Sequence, residues 1–267
     1  MRDALRLAVG TLTATRVPPP DSVAAPVPGQ AMALAPLVGL IPGTAGAVVA
    51  WFAIVVGLWP GLTAVLVVGV FALTTRGLHL DGLADTADGL AASYDRDKAL
   101  AVMRRGDTGP TGLAAVVLIL LLQTAALAQL LASVEPRFGT DPWRTVRTVA
   151  VVALVAVAAR VAIPAACLRG TPAARPEGLG ATVAGSVGLG RFSAVLVTTA
   201  VACSLLGLAS GLDWWVGPSA VAAVGIATRL LVRRAVGRFA GITGDVIGAA
   251  VEIGTTAALL TLAATAG

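Results

Sequence analysis

Three aspartates lie close together in one short segment of the chain. Asp81, Asp85 and Asp88 are four and three residues apart, so on an α-helix their side chains fall within about 60° of arc on one face. Three carboxylates this close repel one another unless a cation or a basic ligand lies among them. Carboxylate oxygens without histidine or cysteine partners suit Mg²⁺ or Mn²⁺, ions that commonly assist reactions at phosphates and diphosphates. The spacing therefore predicts a metal-dependent phosphate site; a solvated acidic helix face is the alternative.

A second polar constellation surrounds Asp245 near the end of the chain. Gly241 and Gly244 precede it and predict a tight turn with exposed backbone N–H groups. Glu252 follows seven residues after Asp245, which puts both side chains on the same helical face. The alternative is a glycine-rich turn in which Asp245 is a favourable charge at a helix N-terminus and small residues allow close helix packing.

Further residues are candidates for contact with a phosphate or a polar part of a substrate. Arg175 and Arg238 offer guanidinium groups for this purpose, although for Arg175 an arginine that only flanks a membrane span is the alternative. Asp107 lies in the basic loop 103–109. His79 points away from the aspartate face of an ideal helix, and we expect it to be a packed or interfacial histidine.

The composition indicates what surrounds these residues. Of 267 residues, 57% are hydrophobic and only 12% are charged, with a mean hydropathy of +0.89. A soluble domain carries about 25% charged residues, so the apolar excess must face lipid. Cys167 and Cys203 provide neither a disulfide framework nor a metal-binding spacing, and a single histidine excludes a multi-histidine metal site.

Long uncharged runs define the membrane spans. Residues 22–75 contain no charged side chain, which suits two spans of about 20 residues separated by a turn at Leu58–Gly61. We predict an all-α polytopic membrane protein with about seven transmembrane helices in a single domain, 1–267. An amphipathic N-terminal helix, with Leu5, Ala8, Val9 and Leu12 on one face, precedes them. The other predicted spans are Gly112–Ser133, Thr148–Leu168, Phe192–Leu212, Pro218–Leu231 and Val246–Ala264.

The basic residues orient these spans. With a cytoplasmic N-terminus, fifteen basic residues lie on the cytoplasmic side and three outside, as the positive-inside rule requires. The net charge of +5 therefore needs no nucleic-acid partner. Those on the cytoplasmic side are Arg2, Arg6, Arg16, Arg76, Arg96, Lys98, Arg104, Arg105, Arg169, Arg175, Arg191, Arg229, Arg233, Arg234 and Arg238; those outside are Arg137, Arg144 and Arg147.

The same topology collects most acidic residues at the cytoplasmic edge and leaves Glu135, Asp141 and Asp213 outside. It places Asp245 on the same side as Asp81, so we expect their carboxylates to share or neighbour a metal ion. Only Arg160 and Glu252 lie deep among the spans. A cation-coupled transporter, the rival of a different class, would instead distribute polar groups near the bilayer midplane.

These motifs together resemble the cobalamin synthase family, the adenosylcobinamide-GDP ribazoletransferases, over nearly the whole chain. The most specific segment is Gly77-Leu-His-Leu-Asp-Gly-Leu-Ala-Asp-Thr-Ala-Asp-Gly89. The supporting segments, in order, are Thr15–Pro18, Pro36–Gly39, Ala174–Gly180 and Gly241–Ala249 with Glu252.

The resemblance implies a reaction and a site. The family joins α-ribazole, or its 5′-phosphate, to adenosylcobinamide-GDP, releases GMP and forms adenosylcobalamin or its phosphate, with Mg²⁺ and in the cytoplasmic (inner) membrane. We accordingly expect a lipid bilayer around the chain. A homo-oligomer or association with corrinoid-pathway enzymes is left open. The expected metal and catalytic residues are Asp81, Asp85, Asp88 and Asp245, and the expected binding residues are Arg175, Arg238, Gly241, Gly244 and Asp107.

The chain departs from the family pattern at two places. Arg105 stands where relatives usually have an aspartate, and Asp107, two residues later, either replaces it or leaves its role unfilled. Gly254-Thr255 stands where relatives tend to have another acidic residue. CDP-alcohol lipid phosphotransferases are an alternative: the segment Asp88–Ala92 matches the start of their motif, but Ser93 replaces its arginine.

Overall fold

The computed structural model describes residues 1–92, 94–134 and 143–265 and confirms the all-α prediction. The described ranges form fourteen helices and no strand, with only two isolated bridges, between Leu168 and Val187 and between Ala173 and Ile242. The helices are α1 (Arg2–Leu12), α2 (Val27–Ala33), α3 (Ala35–Val38), α4 (Leu40–Val55), α5 (Pro60–Thr74), α6 (Leu78–Ala92), α7 (Arg96–Val102), α8 (Pro110–Val134), α9 (Arg144–Ala159), α10 (Ala162–Ala166), α11 (Leu179–Val183), α12 (Leu189–Ala209), α13 (Val216–Phe239) and α14 (Gly244–Thr265).

The number of membrane-spanning helices agrees with the sequence prediction. Six helical segments in the described part of the chain are long and apolar enough to cross a bilayer, and α5 with α6 makes a seventh if this bent pair counts as one span. The predicted break at Leu58–Gly61 falls between α4 and α5. The six segments are Ala35–Val55, Pro110–Ser133, Arg144–Ala166, Leu189–Ala209, Val216–Phe239 and Gly244–Thr265.

The helices divide into a buried pair and an outer layer. α9 and α14 are the most enclosed, and α14 packs against α6, α8, α9 and α13. α4, α8 and α12 instead expose large apolar side chains such as Phe52, Leu121 and Leu205. A soluble protein would not leave such surfaces in water, so these faces contact lipid.

The two ends of the bundle differ in chemistry. Trp59, Trp143, Trp214 and Trp215 are exposed in or beside the loops of one end, a position typical of the membrane interface. We call the opposite end, where α9 finishes and α14 begins, the charged end, because α6, α7 and most arginines lie there.

A sharp bend brings α6 into the bundle. α5 and α6 meet at 87°, with Arg76 and Gly77 at positive φ between them. α6 then packs between α8 and α14. A Cβ atom on Gly82 would lie 2.7 Å from the carbonyl oxygen of Asp245, and one on Gly248 would lie 3.2 Å from the Cα atom of His79. Glycine at both positions therefore permits direct backbone contact between α6 and α14.

The amphipathic N-terminal helix is confirmed, and part of its predicted apolar face packs on the bundle. Ala4, Ala8 and Leu12 are buried in α1, whereas Leu5 is 46% exposed. The reason is that α1 packs against α2 and α3, so the small alanines at the i and i+4 positions form the contact. The two cysteines are free and buried.

Candidate active site

The charged end brings Asp245 beside the acidic face of α6, as expected from their placement on the same side of the membrane. The backbone of Asp245 touches α6 at Gly82, and the carboxylates of Asp81 and Asp85 lie close enough to that of Asp245 for their charges to interact. Neither the carboxylate of Asp81 nor that of Asp85 has a hydrogen-bond or ion-pair partner among the described residues. These two carboxylates therefore keep their oxygen atoms available for a ligand.

Asp245 is held by two neighbours at the start of α14. The hydroxyl of Thr243 donates to Oδ2 of Asp245 over 3.1 Å, and accepts the backbone N–H of Val246 over 3.3 Å. Nη1 of Arg175 lies 4.0 Å from the same Oδ2 atom. The orientation of the Asp245 carboxylate is thus set by both a hydroxyl and a cation.

Arg175 connects two cavities at the charged end. One has a volume of about 280 Å³ and is bordered by Asp245, Thr243 and Glu177. The other, of about 320 Å³, is bordered by Arg96 and Arg104. Nη2 of Arg175 donates to the carbonyl of Leu100 over 2.9 Å, while its buried Nε has no partner among the described residues. The Leu100 carbonyl therefore fixes the guanidinium in place, and its Nε–H group remains available to a ligand.

Burial also affects the charge of this arginine. Desolvation lowers the pKa of Arg175 from its ordinary value, the nearby carboxylate of Asp245 raises it, and the positive charge of Arg104 lowers it. An arginine remains protonated at neutral pH even after such a decrease. Arg175 and Arg104 accordingly present two positive charges beside the acidic face.

Asp88 has a different environment from Asp81 and Asp85. Its side chain is 8% exposed. Oδ2 accepts the N–H of Gly109 over 2.7 Å, and Oδ1 accepts the N–H of Gly112 over 2.8 Å. These two groups belong to the start of α8, where backbone N–H groups lack partners within the helix. Asp88 therefore caps α8 from another helix, and its predicted metal role stays a prediction.

The acidic side chains do not form a closed metal cage. In residues 1–92, 94–134 and 143–265, no three aspartate, glutamate, histidine or cysteine side chains converge closely enough to hold an ion. Mg²⁺ seldom needs such a cage, because it commonly binds one or two carboxylates and completes its coordination with water and substrate phosphates. The free hard oxygens of Asp81 and Asp85 fit that requirement.

The other predicted binding residues occupy varied positions. Nη2 of Arg238 donates to the carbonyl of Leu90 over 3.2 Å, and its guanidinium lies 4.3 Å from the centre of the Tyr94 ring. Both contacts join the end of α13 to the end of α6. Asp107 is exposed, and no described residue bonds to its carboxylate.

The glycine turn differs in detail from its prediction. Ala240, not Gly241, has the left-handed conformation, with φ of 58°. Gly241 packs directly on the backbone of Ala173, where any side chain would collide. The N–H of Ile242 is also occupied, since it donates to the carbonyl of Pro172 over 2.9 Å. The small residues here serve chain packing, and Gly244 begins α14 beside Leu179.

A polar cluster inside the bundle was only partly foreseen from the sequence. Arg160 is 5% exposed, and its Nη1 lies 2.9 Å from Nδ1 of His79, so the histidine is packed as predicted. The Gln123 amide donates to Oε2 of Glu252 over 2.9 Å, and the charge of Glu252 attracts Arg160. Gln123 was missed, although an amide in an apolar span is a recognisable signal.

This buried cluster is unsuited to a substrate. The cavity that it borders measures about 20 Å³, far below the roughly 300–1,000 Å³ of ligand pockets. Its polar groups also bind one another. The cluster is therefore structural, and the acidic face with Arg175 is the candidate active site.

The chain is similar to proteins of one known family. The family model for cobalamin-5-phosphate synthase matches residues 4–263. Three relatives named adenosylcobinamide-GDP ribazoletransferase are similar over most of the chain. The protein from a Nocardioides species is 43% identical, and the match covers 99% of this chain and 100% of the relative. The protein from Frankia casuarinae is 38% identical, and the match covers 97% of this chain and 94% of the relative. The protein from Bradyrhizobium diazoefficiens is 36% identical, and the match covers 86% of this chain and 81% of the relative.

No solved structure is significantly similar to the chain. The family match spans nearly every described residue, including α6, the Arg175 segment and the start of α14, which together build the candidate site. The chain therefore belongs to the cobalamin-5-phosphate synthase family.

Proposed function

We propose that this protein is a membrane-embedded phosphotransferase that joins α-ribazole, or its 5′-phosphate, to adenosylcobinamide-GDP. The observation that carries the proposal is the pairing of the free carboxylates of Asp81 and Asp85 with Asp245 and Arg175 at one end of the bundle. Family membership and the names of the relatives supply the substrates. Such a mixed acidic and basic site suits the transfer of a phosphate group from a diphosphate.

The reaction exchanges one phosphorus–oxygen bond for another. A ribose hydroxyl of α-ribazole attacks the phosphorus nearest the cobinamide and forms a phosphodiester, while the bond from that phosphorus to the bridging oxygen breaks. GMP leaves with the bridging oxygen, and the hydroxyl proton passes to a carboxylate. The products are adenosylcobalamin, or its 5′-phosphate, and GMP.

We assign the proton acceptor to Asp85. It lies at the centre of the acidic face, because the charges of Asp81, Asp88 and Asp245 all act on it. Its carboxylate has no partner among the described residues, whereas both oxygens of Asp88 accept backbone hydrogen bonds. A general base needs a free oxygen within reach of the proton that it accepts.

Asp81 and Asp85 are the residues that would hold Mg²⁺, with Asp245 beside them. When bound, the ion would offset negative charge on the diphosphate and on the departing phosphate. Two features support this choice: the donors are hard carboxylate oxygens, and the neighbouring carboxylates would otherwise repel one another. Asp88 was also expected as a ligand, and its hydrogen bonds to α8 make it the weakest candidate of the four.

Arg175 would bind the diphosphate. Its guanidinium faces both cavities and retains an unpaired Nε, and a planar guanidinium matches the geometry of phosphate oxygens. Arg96 and Arg104 border the second cavity, which we assign to the GMP portion. Arg238, by contrast, would act by holding the end of α6 in position.

We also propose that the charged end faces the cytoplasm and that the chain lies in the inner cell membrane. The excess of arginines at this end supports the orientation. The substrates are polar nucleotide derivatives, so a site at this end would be open to soluble metabolites. A single-cysteine accessibility experiment in intact cells, with the cysteine at Arg104, would test the orientation.

The decisive experiment is product analysis in membranes that contain this chain. Adenosylcobinamide-GDP, α-ribazole and Mg²⁺ are supplied to the wild type and to Asp81→Ala at matched expression. We expect adenosylcobalamin and GMP in equal amounts, only with Mg²⁺, and their loss in the variant. No product from folded wild type would overturn the function, and full activity of the variant would overturn the site. A CDP-alcohol with a lipid acceptor serves as the control substrate pair.

A further inference from the structure

A second basic cavity lies at the charged end, away from the residues of the candidate active site. It measures about 880 Å³ and is formed by the loop after α10, the first residue of α12 and the last turns of α13. Its basic side chains are Arg169, Arg229 and Arg233, and its walls include Leu189, Val232 and Val236. None of these residues contributes to the proposed transfer reaction.

The three arginines of this cavity have no counter-charge. No acidic residue borders the cavity, and none of the three guanidinium groups makes a hydrogen bond or an ion pair with any described residue. Arg229 and Arg233 are four residues apart on α13, so they share one helical face. Three positive charges around one concavity attract an anion with several acceptor oxygens.

The backbone of the loop that carries Arg169 is fixed. The N–H of Arg169 donates to the carbonyl of Val187 over 2.8 Å, and the N–H of Val187 donates to the carbonyl of Cys167 over 3.0 Å. The cavity is therefore held between two anchored elements, the loop and α13.

The position of the cavity along α13 indicates which kind of anion it binds. The apolar part of α13, residues 216–228, rises only about 20 Å, while the hydrocarbon core of a bilayer is about 30 Å thick. Arg229 therefore starts within the hydrocarbon layer and its long side chain extends toward the lipid headgroups, while Arg233, about 6 Å further along the helix, lies nearer their level. Ile226 and Leu230, beside them on α13, are largely exposed, as expected of side chains that contact acyl chains.

We infer that this cavity binds the headgroup phosphate of an anionic phospholipid, with the arginines on the phosphate and the apolar walls against the upper acyl chains. Its volume falls within the range of pockets for ligands of this size. The inference is independent of the proposed transfer reaction. A soluble phosphate offers the same oxygens, but it lacks the apolar part that Leu189, Val232 and Val236 would contact.

The test measures lipid retention by the full-length protein. The protein is purified in detergent with an equal mixture of phosphatidylglycerol and phosphatidylcholine, and bound lipids are counted by native mass spectrometry. The wild type should retain phosphatidylglycerol preferentially. Each basic residue near a charged membrane surface contributes about fivefold to binding, so the variant R229Q/R233Q should lose roughly 25-fold. R234Q, which removes the neighbouring arginine outside the cavity lining, is the matched control and should retain the lipid.

Two further variants test the cavity separately. The charge-conserving variant R229K/R233K should keep most of the preference, and R169Q, altered only in the loop, should lose about fivefold even if the double variant fails to fold. Equal retention by R229Q/R233Q and the wild type, or an equal loss in R234Q, would overturn the site. Displacement of phosphatidylglycerol by millimolar inorganic phosphate would overturn the lipid as its occupant.

Discussion

Helix α6 contributes to two charged regions that have opposite properties. Its first turn supplies His79 to the buried cluster, in which Arg160 contacts the histidine and Gln123 binds Glu252. The same turn and the next one supply Asp81 and Asp85 to the charged end, where neither carboxylate has a described partner. The difference is one of satisfied and unsatisfied hydrogen-bonding groups. The charged groups of the buried cluster have partners and stabilise the fold, whereas the carboxylates for which we propose chemistry are free to bind a ligand.

Asp88 shows that spacing alone does not decide between these outcomes. It belongs to the same face as Asp81 and Asp85, yet it binds two N–H groups of α8. The acidic face thus combines free carboxylates, where we propose chemistry, with a structural cap on α8. Substitutions that separate activity from stability can test each assignment.

The largest effect is expected for Asp85→Asn. The amide cannot accept the proton or carry the charge, so the turnover rate should fall roughly 10³-fold, about 4 kcal/mol in the barrier. The thermal unfolding temperature should not fall, because the carboxylate has no partner to lose. Asp213→Asn, at an exposed residue of the opposite end, is the control. Retained turnover in Asp85→Asn would remove this residue from the mechanism.

Substitutions in the buried cluster should instead lower the stability of the fold. Arg160→Met leaves Glu252 without its neighbouring positive charge and should reduce the free energy of unfolding by about 3 kcal/mol. The measurement is thermal unfolding in a fixed detergent. Adding Glu252→Gln should restore part of the loss, since the uncompensated charge is then removed. An unchanged unfolding temperature in the single variant would show that the two charges are not coupled.

Asp88→Asn addresses the residue between these extremes. An amide offers one acceptor where the carboxylate offers two, so one N–H group at the start of α8 loses its partner, at a cost of about 2 kcal/mol. Hydrogen exchange at Gly109 and Gly112 should accelerate. If stability is unchanged while turnover falls by more than 100-fold, Asp88 is instead a metal ligand.

The smallest effect is expected for Arg175→Lys. Lysine keeps a positive charge near Asp245 but loses the fixed guanidinium that binds the Leu100 carbonyl, so the KM for adenosylcobinamide-GDP should rise roughly fivefold, about 1 kcal/mol. Arg238→Lys, at a residue assigned to helix positioning, is the comparison and should leave the KM unchanged. The reverse pattern would exchange the two roles.

The sequence predicted the spans and the acidic face because both depend on local patterns. Uncharged runs identify spans directly, and intervals of four and three residues place Asp81, Asp85 and Asp88 on one face in any helix. The partners of these residues could not be predicted. Asp88 binds groups 21 and 24 residues away, and Arg160 meets His79 across 81 residues; such pairs depend on how helices cross.

Local sequence patterns also did not predict the bend before α6, which lies at Gly77, a residue with positive φ. Its consequence concerns the bilayer. A straight span tilts when membrane thickness changes, but the 87° bend separates the tilt of α5 from α6. The direct backbone contacts at Gly82 and Gly248 instead couple α6 to α14. The spacing between Asp81 and Asp245 should therefore stay constant in thick and thin membranes alike, which would let one site work unchanged as the lipid composition of the cell varies.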